Sequence, residues 1–228
     1  MGQIFLSGGG NANKTKKLDE IFLKGITKSG RMLYIPVAMP REAFSYGECF
    51  EWICAVFPKL GYLHIDMWTD LKNRSSKELN KYSAIYIGGG NTFSLLNDIR
   101  KNGFDKQLAL YLKKGGVVYG GSAGAIIFGK SIKTAGFGGD ADKNNVGLRN
   151  FKGMNLVKGL SVQCHYTKND DLEMFRFVKE FRSNVLALPD ETGIYSKNGK
   201  WKVVGDKSAY LFTSDHKIEL KHGSELFD

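Results

Sequence analysis

Residues 115–128 read GGVVYGGSAGAIIF, an apolar run that leads into a cluster of small residues around one serine. The apolar residues 117–119 fit a buried strand, and the apolar residues after Ser122 fit the start of a helix. Residues 120–124 form the pattern G-x-S-x-G, in which a sharp turn between strand and helix exposes the serine. Small neighbours are needed there because larger side chains would collide with the strand and the helix. The stretch therefore predicts a parallel α/β sheet with an exposed serine at its edge.

Strands and helices alternate along the chain on the N-terminal side of this stretch. Apolar runs that fit strands lie at 3–7, 31–39, 62–68 and 83–88, and segments with helical spacing lie between them. This alternation predicts βαβ units and a mainly parallel sheet covered by helices on both faces. Near the C-terminus, apolar and polar residues alternate around Asn198-Gly199, which predicts antiparallel strands. We therefore predict an α/β fold with three layers, as one domain over residues 1–228.

Charge, apolar runs and cysteine spacing argue against nucleic-acid, membrane and metal partners. The chain has 228 residues and a formal net charge of +10, but its lysines are scattered and are not interleaved with aromatic residues, so nucleic acid is not an expected partner. No apolar run approaches the ~20 residues that cross a bilayer, and no basic segment precedes the apolar N-terminus. Cys49, Cys54 and Cys164 show neither zinc-ligand spacing nor an even count. We expect a cytoplasmic protein with reduced thiols, no metal and no membrane contact.

Three predicted strands end in glycine-rich turns. GGGN occurs at 8–11 and again at 88–91, and the serine turn at 120–124 is the third. Ligands of open parallel sheets bind at the carboxyl ends of strands, so these turns indicate a binding site at one edge. None of them completes a dinucleotide-binding G-x-G-x-x-G with a suitably spaced acidic residue. For the first GGGN, a plain tight turn is an equally good interpretation.

A nucleophilic serine requires a base, and an acid that orients the base. His165 ends an apolar strand, where we expect it at the sheet edge that Ser122 occupies. Two carboxylates, Asp190 and Glu191, directly follow the apolar run 185–188. The remaining histidines and the weaker acidic candidates are His64, His216, His222, Asp140, Asp142, Asp170 and Asp171. An α/β-hydrolase order, Ser122, Asp190 and then His216 or His222, remains open.

Four segments together resemble a known family. IGGGNTFSLL begins one residue before Gly88, and Ser122 of GGSAGA follows Gly88 by 34 positions (122 minus 88). A strand ending in His165-Tyr166-Thr167 and the segment LPDETGIYSKNG complete the set. This combination resembles the peptidase E family of serine peptidases (family S51), which includes aspartyl dipeptidases and cyanophycinases. The resemblance implies a class I glutamine-amidotransferase-like, flavodoxin-like sandwich with a mainly parallel central sheet and antiparallel C-terminal strands.

The resemblance also implies roles for individual residues. Ser122 would be the nucleophile and His165 the general base, with Asp190 or Glu191 as the acid. The backbone N–H groups of Gly90 and Ala123 would form the oxyanion hole. Substrate-binding positions would be Gly89, Asn91 and Thr167. No cofactor or metal is implied, and the expected partner is a small peptide substrate of a monomer or homodimer.

Substrate identity and catalysis itself have alternatives. N-terminal Asp is one expected specificity, for which Lys168, Arg176 and Arg41 are conceivable carboxylate partners, and another small peptide or isopeptide is the alternative. A non-catalytic member of the same fold that binds a small ligand is a further alternative, in which Ser122 is idle. The glycine-rich segment 131–147 reads as a long loop, either a flexible lid or a surface insertion, and its part 135–147 is the candidate lid.

Overall fold

The structure is a computed structural model that describes residues 2–27, 30–40, 42–57, 61, 64–139 and 141–227. Its strands are β1 Gln3–Ser7, β2 Met32–Ile35, β3 Ile65–Met67, β4 Ala84–Ile87, β5 Val117–Gly121, β6 Ser161–Cys164, β7 Val185–Leu188, β8 Thr192–Lys197, β9 Lys200–Gly205, β10 Ala209–Phe212 and β11 Lys217–Leu220. Its α-helices are α1 Ala12–Lys24, α2 Tyr46–Val56, α3 Ser76–Leu79, α4 Thr92–Lys101, α5 Phe104–Lys113, α6 Ala123–Ile126 and α7 Asp171–Phe181, with 3₁₀ helices at Ile132–Gly136 and Lys168–Asp170.

The main sheet has seven strands in the order β3-β2-β4-β5-β1-β8-β9. The first five run parallel, and β8 and β9 add to the edge antiparallel. The β8–β9 hairpin turns at Asn198 and Gly199, whose φ angles of 54° and 80° are the left-handed values that such a turn requires. The predicted α/β class, parallel sheet and hairpin are confirmed.

Helices cover both faces of the main sheet because its central strands are apolar on both faces. Phe5, Tyr34 and Tyr119 point to one face, where they pack with α1 and α2. Residues next to them in the strands, such as Ile4 and Leu33, pack on the other face with α3, α4 and α5. The helices therefore form the outer layers of a three-layer sandwich. None of the helices in the described ranges is long and apolar enough to span a bilayer.

A second sheet, which the sequence pattern did not indicate, lies beside the first. Its four strands follow the order β11-β10-β7-β6, with β6 and β7 parallel and β10 antiparallel to β7. The C-terminal antiparallel strands are therefore divided between two sheets. The division depends on which strands pair across long stretches of chain, and local alternation of apolar residues does not specify this.

The segment 131–147 is only partly a loop. It begins with the 3₁₀ helix Ile132–Gly136, in which Ile132, Thr134 and Ala135 are buried. The Thr134 hydroxyl donates a hydrogen bond to the Val162 carbonyl at 2.6 Å, which joins this helix to β6. The start of the segment therefore belongs to the core. Whether its later part acts as a lid stays a prediction.

Candidate active site

Ser122 occupies a strained turn between β5 and α6. Its φ and ψ are 51° and −115°, a conformation that non-glycine residues rarely adopt. A Cβ on Gly120 would lie 2.2 Å from the Gly124 carbonyl oxygen, and one on Gly124 would lie 2.3 Å from the Ile87 carbonyl oxygen. The glycines are therefore required by close backbone contacts, and the turn they allow leaves Ser122 facing two cavities.

His165 directly follows β6 and reaches the serine. Its Nε2 lies 2.7 Å from Ser122 Oγ, and its own φ of 54° is also left-handed. The imidazole packs against the first GGGN turn: a Cβ on Gly9 would lie 2.1 Å from His165 Cε1. The first GGGN therefore does more than turn the chain, because the absence of a side chain at Gly9 makes room for the imidazole.

Asp190, and not Glu191, contacts the imidazole. Asp190 Oδ1 lies 2.9 Å from His165 Nδ1, and Asp190 Oδ2 accepts a hydrogen bond from Lys14 Nζ at 3.1 Å. Burial by itself would raise the pKa of Asp190, but the bonds from His165 and Lys14 outweigh it and hold that pKa below its ordinary value. Glu191 has a φ of 71°, and its carboxylate lies 3.6 Å from Lys207 Nζ.

The two sheets meet at the end of β1, and this junction assembles the site. Ser122 N donates to the Ser7 carbonyl at 3.1 Å, and His165 N donates to the Gly8 carbonyl at 2.9 Å. Ser122 thus comes from the main sheet, whereas His165 and Asp190 follow the parallel strands β6 and β7 of the second sheet. The expectation that serine and histidine share one sheet edge is corrected, because β1 joins two different sheets here.

The second GGGN turn lies against the serine. Gly89 is close enough that a Cβ there would lie 3.2 Å from Ser122 Cβ, and Gly90 has a φ of 133° beside the Ala38 carbonyl. Among the described residues, the N–H of Gly90 has no hydrogen-bond acceptor. The N–H of Ala123 belongs to the first residue of α6 and has no acceptor within its own helix. Asn91 caps α4 through its side chain, which accepts a hydrogen bond from Ser94 N at 2.9 Å.

A polar cavity of about 360 Å³ opens on one side of Ser122 and His165. Among the described residues, its acidic lining groups are Asp142 and Asp170, and Asp170 is buried. Burial raises the pKa of Asp142, and its bond from Thr92 N at 2.8 Å and the nearby His165 lower it less strongly. Gln163 is 6% exposed, and its Oε1 has no hydrogen-bond partner among the described residues. The cavity therefore presents hydrogen-bond acceptors.

A second, aromatic cavity of about 390 Å³ also borders the same serine and histidine. Its apolar wall is formed by Tyr34, Met39, Phe44, Trp52 and Tyr86. The glycine turns at Gly88, Gly89 and Gly121 also line it. Ser122 and His165 thus line two cavities, of which one carries acidic side chains and the other is mainly aromatic.

Several predicted residues lie elsewhere. Thr167 is exposed and lines neither cavity; its N and Oγ1 both donate to Asp170 Oδ2 in a capping box, which commits them to the local turn. His64, His216, His222, Lys168 and Arg176 are exposed and line neither cavity. The α/β-hydrolase order is therefore not assembled, since His165 occupies the position on Ser122 that His216 or His222 would need. Arg41 and Asp140 lie outside the described residues.

The polar cavity contains residues whose place the sequence reasoning missed. Asp142 and Asp170 were considered only as partners for the histidine, and Gln163 was not considered. A usable signal existed for Gln163, because a polar residue within the apolar strand SVQC needs a buried partner. Over the described part of the chain, no cluster of three or more His, Cys, Asp or Glu side chains could hold a metal ion.

Comparison with known proteins places this chain among peptidases. The sequence model of Peptidase family S51 matches residues 4–204. An uncharacterized peptidase of Listeria monocytogenes is 30% identical over 137 residues, which cover 58% of this chain and 64% of that relative. The match thus spans slightly less than two thirds of that protein.

Longer alignments agree with this result. A peptidase E of Shewanella baltica is 24% identical over 218 residues, 90% of this chain and 87% of the relative. A crystal structure from Listeria monocytogenes EGD-e, described as a candidate peptidase E, superposes with a TM-score of 0.70 at 25% identity, covering 90% of this chain and 98% of that one.

Proposed function

This chain belongs to peptidase family S51, and on that premise we propose that it is a serine peptidase that cleaves dipeptides or short peptides with a free N-terminus. The observation that carries the proposal is the continuous contact from Ser122 through His165 to Asp190. An idle serine would not need a left-handed backbone, an imidazole at 2.7 Å and a carboxylate behind that imidazole. This cost in strain favours catalysis over the alternative of a ligand-binding member of the fold.

The mechanism follows from these contacts. His165 Nε2 takes the proton of Ser122 Oγ as the oxygen attacks the scissile carbonyl carbon, and Asp190 Oδ1 stabilises the imidazolium through Nδ1–H. The N–H groups of Gly90 and Ala123 donate to the carbonyl oxygen as it becomes negative. The protonated His165 then gives its proton to the leaving amine, and the peptide C–N bond breaks. Water, deprotonated by His165, releases the acyl group from Ser122.

The polar cavity supports recognition of a peptide amino terminus. Asp142 and Asp170 supply negative charge, and Gln163 lines the cavity with a buried Oε1 that has no partner among the described residues. A protonated α-amino group offers three N–H donors and one positive charge, so it satisfies these groups together. The small volume of about 360 Å³ suits one terminal residue better than an internal stretch of chain.

The same cavity disfavours an aspartate side chain at the substrate's N-terminus. Among its described lining residues there is no lysine or arginine to pair with a second carboxylate. Of the predicted carboxylate partners, Lys168 and Arg176 are exposed and do not line it, and Arg41 lies outside the described residues. We therefore expect a neutral N-terminal residue to be preferred over Asp.

A panel of dipeptides tests the proposal. Ala-Ala, Ala-Leu and Asp-Leu would be assayed beside N-acetyl-Ala-Leu, with the wild-type protein and with Ser122→Ala. We expect hydrolysis of the free peptides in the order Ala-Leu above Asp-Leu, little hydrolysis of the acetylated peptide, and none by Ser122→Ala. Hydrolysis that survives Ser122→Ala, or no hydrolysis of any free peptide, would contradict the proposal. In the second case, binding of Ala-Leu without turnover would support the non-catalytic alternative.

A further inference from the structure

The geometry points to a second specificity site: we propose that the aromatic cavity binds the side chain of the substrate residue on the leaving side of the scissile bond, and that this side chain is aromatic or long and aliphatic. The inference rests on the proposed function and assigns the substrate class of the same site. Its experiment is arranged so that failure of this inference can be told from failure of the proposed function.

The wall of the cavity is a continuous aromatic surface. The ring centroids of Tyr34 and Tyr86 lie 5.7 Å apart, those of Tyr34 and Trp52 lie 6.5 Å apart, and those of Trp52 and Tyr86 lie 6.2 Å apart. Trp52 is 40% exposed and Phe44 is 53% exposed, although both are large apolar side chains. An apolar or aromatic group placed in the cavity would cover exposed ring surface and make edge or stacked contacts.

Two polar side chains that line this cavity already have partners. Thr15 Oγ1 donates to Asp19 Oδ2 at 2.8 Å, and Glu48 Oε2 accepts from Ser45 N and Ser45 Oγ in a capping box. The Glu48 carboxylate also places a negative charge in the lining. An acidic or neutral polar substrate group would be desolvated here with little compensation, so the cavity selects against it.

The position of the two cavities relative to the scissile bond decides which part of the substrate enters the aromatic cavity. Ser122 and His165 line both cavities, so a peptide whose scissile bond lies at Ser122 extends into each of them. When the N-terminal residue holds its amine in the polar cavity, the residue after the scissile bond faces the aromatic cavity. A dipeptide of a small residue followed by an aromatic one fits both cavities at once.

The test compares Ala-Phe, Ala-Gly and Phe-Ala in wild type, Trp52→Ala and Leu110→Ala. Leu110 is the matched control, since it is 44% exposed and lines neither cavity. We expect wild-type kcat/KM for Ala-Phe to exceed that for Ala-Gly at least about tenfold. Trp52→Ala should lower the Ala-Phe value about tenfold and leave Ala-Gly within about twofold. Leu110→Ala should change neither.

Each other outcome overturns the inference in an identifiable way. Equal rates for Ala-Phe and Ala-Gly, or equal losses for both in Trp52→Ala, would mean that the cavity does not select the side chain. A Trp52-dependent preference for Phe-Ala would mean that the acyl side occupies the cavity. If no peptide is cleaved at all, the proposed function fails separately, and the binding measurement below still decides the inference.

Binding is measured without turnover in the Ser122→Ala variant. Of the three tryptophans, only Trp52 is exposed enough to report on this cavity, since Trp68 and Trp201 are 8% and 3% exposed. We expect Ala-Phe to change the tryptophan fluorescence at lower concentration than Ala-Gly, and the signal to vanish when Trp52→Phe is added. Identical titrations for the two peptides, or a signal that persists without Trp52, would contradict the proposed binding site.

Discussion

The two cavities beside Ser122 have similar volumes and share the same serine and histidine, but their linings differ. The polar cavity carries two carboxylates and an amide oxygen that has no partner among the described residues, whereas the aromatic cavity has ring surface and two polar side chains, Thr15 and Glu48, that are already bonded. On the proposed function, this difference divides recognition between the two cavities. We propose that the polar cavity binds the charged amino terminus of the substrate, that the aromatic cavity binds an apolar side chain, and that the bond is cleaved at Ser122, which lines both cavities.

The same comparison explains why the site lies at the junction of two sheets. The aromatic wall is built on β2, β4 and α2 of the main sheet, and the polar cavity is closed by Gln163 of β6 in the second sheet. A serine at the end of β5 faces both only because β1 joins the sheets at Ser7 and Gly8. The contrast between cavities thus follows from the topology.

The largest expected effect is on kcat, and it comes from substituting Asp190, which contacts His165 behind Ser122. Asp190→Asn would present an amide N–H to His165 Nδ1 and favour the tautomer that cannot accept the Ser122 proton. By analogy with other serine hydrolases, we expect kcat to fall by roughly 10³ to 10⁴, with KM nearly unchanged for every peptide. Steady-state kinetics of Asp190→Asn and Glu191→Gln would check this. A large loss in Glu191→Gln with normal activity in Asp190→Asn would reverse the assignment of the acid.

A smaller effect, on KM, is expected from a substitution in the polar cavity. Asp142→Asn retains an oxygen that can accept from Thr92 N but removes the negative charge. A hydrogen bond to a charged group contributes about 1.5–3 kcal/mol, so KM for free dipeptides should rise about 10- to 100-fold. The exposed Asp215→Asn serves as the control of equal charge change. An unchanged KM in Asp142→Asn would remove the polar cavity from amine recognition.

The pH dependence of KM also tests whether Asp142 binds the amino group of the substrate. Burial raises the pKa of Asp142, so this carboxyl becomes neutral at a higher pH than an ordinary aspartate when pH falls. We therefore expect KM for Ala-Phe to rise as pH drops through this raised pKa, and to rise again at alkaline pH as the peptide amine loses its proton, near pKa 8. In Asp142→Asn the acid rise should disappear. A flat KM profile in the wild type would contradict the assignment.

The smallest effect on activity is expected at Asp19, beneath the aromatic cavity, where the change is in the free energy of unfolding. Asp19, which holds Thr15 of the cavity wall, is 2% exposed, and burial raises its pKa to about 6, with the Thr15 bond partly opposing. Its ionised form is disfavoured in the fold, so stability is lost as pH rises from about 4 to about 6. A shift from 3.8 to about 6 corresponds to about 3 kcal/mol.

Thermal denaturation of Asp19→Asn would test this. The variant should unfold at a higher temperature than the wild type near pH 7.5 and at a similar temperature near pH 4, because only the ionised carboxyl carries the cost. Equal unfolding temperatures at both pH values would show that the buried carboxyl is not destabilising.

Sequence alone could predict what depends on local pattern. The small residues around Ser122, the apolar run before it and the Asn198-Gly199 turn each have one local structural interpretation, and the structure has them as expected. Asp190 and Glu191 could not be separated in this way. Lys14, from a distant segment, lies within 4.0 Å of both carboxylates, but only Asp190 reaches His165, whereas Glu191, with its left-handed backbone, pairs with Lys207.

The cavities were beyond sequence reasoning for a related reason. The aromatic wall draws on residues from two strands, one helix and the loop before that helix, and these are brought together only by strand pairing. The second sheet likewise depends on β10 pairing with β7, more than twenty residues earlier in the chain. Contacts of this range leave no periodic signal along the sequence.

Covalent labelling with a fluorophosphonate, followed by intact-mass measurement and peptide mapping, tests the central claim most directly, because this reagent reacts with an activated serine. We predict one adduct, on Ser122, which forms at least about 100-fold more slowly in His165→Ala and in Asp190→Asn. An adduct on another residue, or labelling of Ser122 at the same rate in wild type and His165→Ala, would contradict the proposal that His165 activates this serine.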